Sequence, residues 1–253
     1  MNGSVDVTAQ RYKMTLAYDG SAYAGWQVQP AERTVQGEVE RAIAAIANEQ
    51  TKAHSSGRTD QGVHARGQVV HFDLQRALSE WHFKKGLNAV LPADIRVLKI
   101  EKADPEFHAR RSAVGKEYRY FIWNDEVMLP FNRRYMAHIR KPLDVTAMNA
   151  AARLLVGRHD FASFTANPNR VVESTVRNLT MLRAVKRGRE ITVIARSDGF
   201  LYKMVRSLCG FLIRVGEGAV LAEEARHILG SKLRTARVPT AAPEGLFLWH
   251  VTY

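Results

Sequence analysis

The densest chemistry in this chain lies in one short stretch, Gly57-Arg58-Thr59-Asp60-Gln61-Gly62-Val63-His64-Ala65. An acid stands there between two glycines, with an arginine two positions ahead of it. Glycine lets a backbone approach its neighbours closely, and a nearby guanidinium favours a carboxylate in its charged form, ready to act as nucleophile or base. The same letters also spell an ordinary turn, because Asp-x-Gly sequences form turns throughout proteins. Local chemistry alone favours the turn.

No other cluster competes with it. The nine histidines are scattered without the paired helical spacing of a metalloenzyme, and the one cysteine, Cys209, has no CxxC or Cys/His neighbourhood, so no metal is expected and Cys209 is assigned to core packing. Glycoside hydrolysis would call for a pair of carboxylates, and only Asp60 lies in the stretch.

The elements that must position this loop follow from periodicity. Residues 11–18 alternate, with Tyr12, Met14, Leu16 and Tyr18 on one side, as in a half-buried strand ended by Asp19-Gly20. Thr34 caps a predicted helix over 35–47 carrying Val35, Val39, Ala42, Ile43 and Ile46, and a further strand leads to the Asp60 stretch. Beyond it, 68–72 reads as a strand, Ser79 caps a helix bearing Phe83, Leu87 and Val90, and 95–100 reads as another strand. Strand, helix, strand, strand, helix, strand is the order of a ferredoxin-like unit.

The second half repeats that order. Residues 116–123 are strand-like, Asp144 caps a helix bearing Met148, Ala152 and Leu155, and 179–185 and 191–195 form a hairpin about Arg187-Gly188-Arg189. A helix over 201–215 and a strand over 245–251 complete the repeat. The fold class is therefore α+β, with two ferredoxin-like halves, 1–110 and 111–253, whose antiparallel sheets are expected to meet at a central cleft suited to a ligand.

Composition narrows the partner. The chain has 253 residues, 46% of them apolar, and 37 Lys and Arg against 25 Asp and Glu give a net charge of +12, which points to a polyanion, most often a nucleic acid. No apolar run reaches the ~20 residues of a bilayer crossing. The opening residues 1–6 lack the parts of a signal peptide, so a cytoplasmic protein without membrane attachment is expected.

Set beside known families, the stretch from Gly57 to Ala65 followed by Gly67-Gln68-Val69 resembles the signature of the bacterial tRNA pseudouridine synthase A family. Further resemblances lie in order along nearly the whole chain: Tyr18 to Gln27, Thr34-Val35-Gln36, Asn88 to Pro92, Phe107-His108-Ala109-Arg110, Tyr118-Arg119-Tyr120, Asp160 to Phe164, Gly199 to Arg206 and Glu244 to Phe247.

The resemblance implies the pseudouridine synthase fold and isomerisation of uridine to pseudouridine at positions 38, 39 and 40 of the tRNA anticodon stem-loop, by a homodimer without a cofactor. Asp60 is then the essential acid, attacking the uracil ring or the ribose anomeric carbon, or assisting elimination there. Arg58 takes the place of the flipped base or holds it out; Tyr118 stacks on the uracil and offers its phenol as a base; Arg206 pairs with Asp60 and aims its carboxylate. Leu246 lines the uracil pocket, and Arg110 contacts the RNA or braces the structure. Arg11, Lys13, Lys84, Lys85, Arg111, Lys116, Arg119 and the cluster over 183–189 are candidate phosphate contacts. Residues 165–174 depart from the family pattern. Two other readings remain: the same chemistry at other tRNA positions, and a tRNA-binding folding helper.

Overall fold

A computed structural model describes residues 9–166 and 173–253. The first six residues and most of the divergent 165–174 stretch lie outside the described residues. The chain divides into two compact units, one running to Ala113 and taking in Tyr253, the other spanning Val114–Thr252.

Unit 1 contains β1 (Gln10–Tyr18), α1 (Val35–Ala47), β2 (His54–Ser55), β3 (His64–Leu74), α2 (Glu80–Val90) and β4 (Ile95–Lys102). Its strands run β4-β1-β3, with β2 also on β3, and every pair is antiparallel. Alternation in β1 sends Tyr12, Met14, Leu16 and Tyr18 to the buried face. Tyr12 stacks on Phe72 of β3 at 5.7 Å and meets Phe83 of α2 edge-on at 5.8 Å, which locks the helix layer to the sheet.

Thr34 caps α1 as its sequence predicts, its side chain accepting from the Gly37 N–H at 3.3 Å. Two expectations for α2 fail. Ser79 makes no capping bond; its hydroxyl faces His82 Nδ1 at 3.0 Å. Val90, the last helical residue, is 48% exposed, because the chain turns there and Leu91 takes the buried place.

Unit 2 contains β5 (Gly115–Asn124), β6 (Ala137–Ile139), α3 (Val145–Leu155), β7 (Gly157–Asp160), β8 (Val176–Arg187), β9 (Glu190–Ser197), α4 (Met204–Gly216), α5 (Glu224–Ser231) and β10 (Leu246–Thr252). Its strands run β10-β5-β9-β8-β7, all antiparallel where their registers are given, and the short β6 adds a parallel pair to β5. Without the short elements β6, β7 and α5, it repeats the strand order of unit 1, so the α+β, twice ferredoxin-like reading holds.

Asp144 caps α3 by accepting from Thr146 and Ala147 N–H at 2.8 and 3.1 Å. Helix α4 starts three residues later than its apolar stripe suggests. Lys203 sits at the cap with φ 56°, and the Met204 N–H closes a turn onto Leu201 O at 3.1 Å. Leu201 is buried all the same, so burial there does not mean helix. Cys209 is buried in α4, and burial raises its thiol well above the ordinary range.

Candidate active site

The Asp60 loop is a turn and a presented acid at once. The Val63 N–H donates to Asp60 O at 3.1 Å, with Gly62 at φ 75° closing the turn. One end of the loop is fixed where the Ser56 N–H meets Val69 O at 2.8 Å. Its middle is fixed where the Trp26 N–H meets Thr59 O at 3.0 Å.

The segment that reaches over from Gly20 to Trp26 depends on glycine. A Cβ at Gly20 would stand 2.0 Å from Val63 O, and one at Gly25, where φ is +100°, would stand 2.7 Å from Thr59 O. Gly25 O and Trp26 O then accept from Val35 and Gln36 N–H, so the same segment that steadies the Asp60 loop starts α1. Asp60 is partly exposed and Arg58 exposed, both on this loop.

Beneath the loop lies a polar chain that periodicity does not reveal. The Ser56 hydroxyl donates to Gln68 Oε1 at 2.7 Å; Gln68 Nε2 donates to Gly57 O at 2.7 Å and to the Tyr18 hydroxyl at 3.4 Å; Tyr18 Oη and Thr59 Oγ1 are 2.8 Å apart. All four side chains belong to buried residues. Burial pushes the Tyr18 phenol up to about 12, against the bonds with Thr59 and Gln68, so it stays a neutral phenol at any working pH.

Arg110 lies on a different structure of unit 1, a turn following β4 and braced by imidazoles. The Ala109 N–H donates to His71 Nδ1 at 3.1 Å, and the Arg110 and Arg111 N–H groups to His108 Nδ1 at 3.1 and 3.3 Å. The rings of His71 and His108 lie 4.5 Å apart, and His54 stacks on His71 at 5.0 Å. Burial, with His108, His54 and Arg11 adding to it, lowers His71 to about 4; His108 is lowered by burial and by Arg111 and His54. Both rings are therefore neutral acceptors, and Arg110 and Arg111 project from the turn exposed.

Several cations expected as phosphate contacts also have partners within the protein. Arg11 forms two bonds to Asp73, at 2.7 and 2.8 Å, and also donates to Pro105 O and Phe107 O. That pairing holds the Asp73 carboxyl below its usual range. Lys13 pairs with Glu101 at 3.2 Å and stands 4.6 Å over the Tyr253 ring. Lys84 donates to Leu98 O, and Lys85 lies over Trp81. Arg119 bonds Glu117 at 2.7 Å while its guanidinium lies 4.0 Å from the Trp249 ring centre.

In unit 2, Tyr118, Leu246 and Arg206 gather on one side of the sheet. Tyr118 faces Leu248 across β10 and meets Phe200 edge-on at 5.2 Å; Leu246 faces Tyr120 one step along. Arg206, in the first turn of α4, donates through Nε to Ala241 O at 2.7 Å, and the Ala241 N–H returns to Arg206 O at 3.0 Å. Tyr120 donates to Ala242 O at 2.9 Å. Gly210 admits this strap, since a Cβ there would stand 2.1 Å from Pro239 O. Backbone and helix thus hold the Arg206 guanidinium on the side of the sheet that carries Tyr118 and Tyr120.

The family described as tRNA pseudouridine synthase matches residues 14–110 and 151–253. The protein named tRNA pseudouridine synthase A of Oceanobacillus iheyensis is 44% identical over 245 residues, covering 96% of this chain and 97% of its own. The protein of that name from Brevibacillus brevis is 45% identical over 96% of this chain and 100% of its own, and that from Geobacillus kaustophilus 42% over 96% and 95%.

Proposed function

The chain belongs to the tRNA pseudouridine synthase family, and we propose that it isomerises uridine to pseudouridine at positions 38, 39 and 40 of the tRNA anticodon stem-loop. Relatives named tRNA pseudouridine synthase A match it nearly end to end, and that likeness carries the choice of substrate. The support for Asp60 as the reacting acid is structural: the loop that bears it is fastened by backbone bonds from Trp26 and Val63 while Asp60 itself is partly exposed.

The reaction breaks the bond between uracil N1 and ribose C1′, forms one between C5 and C1′, and moves the C5 proton while N1 gains one. Substrate and product are isomers, so no oxidant, reductant or group donor enters the balance and no cofactor is required. Asp60 attacks the ring or the anomeric carbon, or removes a ribose proton; each route needs an ionised, aimed carboxylate. Tyr118 stacks on the uracil and stands as the base for the C5 proton. Leu246 gives the uracil an apolar wall, Arg58 holds the base out of its stack, Arg110 contacts the RNA, and Arg206 serves as the cation that aims Asp60. A homodimer acting in the cytoplasm completes the reading.

Incubating the protein with unmodified tRNA transcripts, mapping pseudouridine by chemical labelling and primer extension, and running Asp60→Asn beside it tests this reading. Pseudouridine at 38 to 40 that disappears in the variant, with tRNA affinity kept, is the expected result. Turnover by Asp60→Asn would remove Asp60 from the mechanism, and product only at other positions would reassign the substrate site.

A further inference from the structure

We propose that Tyr18, Gln68 and Thr59 are positioning residues for the reaction, a buried hydrogen-bond relay that sets the angle at which the Asp60 carboxylate is presented. This rests on Asp60 being the reacting acid. None of the three touches the reacting atoms in this reading; they act through the loop.

Chemistry fixes the direction of the bonds that Gln68 makes. Gly57 O can only accept, so the Gln68 amide must turn its Nε2 toward it, at 2.7 Å. Gln68 Oε1 then faces Ser56, whose hydroxyl must donate, at 2.7 Å. Gln68 Nε2 also donates to Tyr18 Oη, at 3.4 Å, and the Tyr18 and Thr59 hydroxyls share a bond at 2.8 Å in which either can donate. The relay therefore runs from a strand residue, through β1, to the residue immediately before Asp60.

Its two contacts with the loop, at Gly57 and at Thr59, bracket Arg58. A third fastening, Trp26 N–H to Thr59 O at 3.0 Å, holds the same residue by its backbone. Thr59 is thus gripped through both main chain and side chain, with Asp60 its next neighbour.

An apolar filling would exclude water from this space just as well. Four buried polar groups that satisfy one another instead select one arrangement of the loop, since each alternative leaves a donor or acceptor unmet. What they contribute is angular definition, and a displacement of about 1 Å at a reacting group can cost on the order of 10²-fold in rate.

Steady-state kinetics on tRNA, with tRNA affinity measured separately, tests this with Thr59→Val, Thr59→Ser, Tyr18→Phe and the Thr59→Val/Tyr18→Phe pair, and Asp60→Asn as control. Valine keeps the shape of threonine and puts a methyl group in place of its hydroxyl. We expect Thr59→Val and Tyr18→Phe each to lower kcat by about 10- to 100-fold with KM and tRNA affinity within about twofold of the parent. Thr59→Ser should recover most of the rate. The pair should be no worse than Tyr18→Phe alone, because that change already cuts the Tyr18–Thr59 bond that Thr59→Val removes, along with the bond from Gln68.

Full kcat in Thr59→Val with an inactive Asp60→Asn would overturn the relay while leaving the proposed function intact. Parallel losses of kcat and affinity, or additive losses in the pair, would make these residues ordinary structural ones and also overturn it. Turnover by Asp60→Asn would take down the proposed catalytic acid and the relay with it.

Discussion

His71 offers a prediction whose size follows from its surroundings. Its side chain is buried in β3, its Nδ1 accepts the Ala109 N–H at 3.1 Å, and burial together with His108, His54 and Arg11 brings its pKa from 6.5 to about 4. Above pH 6.5 the ring is neutral in both the folded and unfolded chain, and the folded contacts are fully present. As pH falls below 6.5 the unfolded chain takes up a proton that the folded one refuses, so stability is lost until the folded ring protonates near pH 4. A drop from 6.5 to about 4 corresponds to about 3 kcal/mol over the whole window, and about 2 kcal/mol of it is lost between pH 7.5 and pH 5. The variant to compare is His71→Asn, whose side-chain oxygen can stand where Nδ1 accepts but cannot titrate. Urea unfolding of unit 1 followed by circular dichroism at pH 7.5 and pH 5 should show the parent losing about 2 kcal/mol more than the variant. Equal losses in the two proteins, or an imidazole resonance of His71 titrating at its ordinary value by NMR, would refute the argument. The consequence for function is that the turn bearing Arg110 and Arg111 keeps this fastening in the folded chain until pH approaches 4, so tRNA affinities of parent and variant should change with pH in parallel above pH 5.

Two further outcomes concern unit 2. Glu117 is buried between Arg119 at 2.7 Å and Arg196 at 2.5 Å; burial opposes its charge, but the two guanidinium bonds outweigh it and lower its pKa. Glu117→Gln should therefore cost about 1–3 kcal/mol at pH 7 in denaturant titration, a loss the parent approaches as acid protonates the carboxyl; an unchanged midpoint would show the triad to be idle. Gly210→Ala should destabilise by about 1–3 kcal/mol or more, since its methyl carbon would meet Pro239 O at 2.1 Å, whereas Gly230→Ala in α5, with nothing within 4 Å, should be neutral or gain up to about 1 kcal/mol. Equal melting temperatures for the two alanine variants would contradict the close approach of the strap to α4.

Much of the fold was legible because its signals are local. The cap and stripe of α1, the alternation of β1 and the hairpin of β8 and β9 each sit within a few consecutive residues, and each took the expected form. Failures came where a local signal has two physical meanings. Leu201 is buried in a turn rather than in α4, because apolar spacing reports burial and Lys203 at φ 56° interrupts the helix. Val90 continues the period of α2 after the chain has turned away from the core. The short β6, β7 and α5 are too brief to show a period at all.

The candidate site divides along the same line. Asp60 and Arg58 share one contiguous motif, so they could be found by reading along the chain. The relay could not: Tyr18 reads as a core residue of β1, and its partners Thr59 and Gln68 lie 41 and 50 positions away. His71 and the turn at Ala109 are 38 positions apart. What joins these two sets is β3 itself. Leu16 faces Gln68 and Lys13 faces His71 across the ladder, so successive faces of one strand serve two tasks, Gln68 holding the Asp60 loop and His71 holding the turn of Arg110. A slip of one residue in that pairing would send each side chain to the other face and undo both at once. The register of β1 on β3 is therefore as much a determinant of the proposed chemistry as the acid it positions, and it is specified by the hydrophobic alternation of Tyr12, Met14, Leu16 and Tyr18 rather than by any residue of the motif.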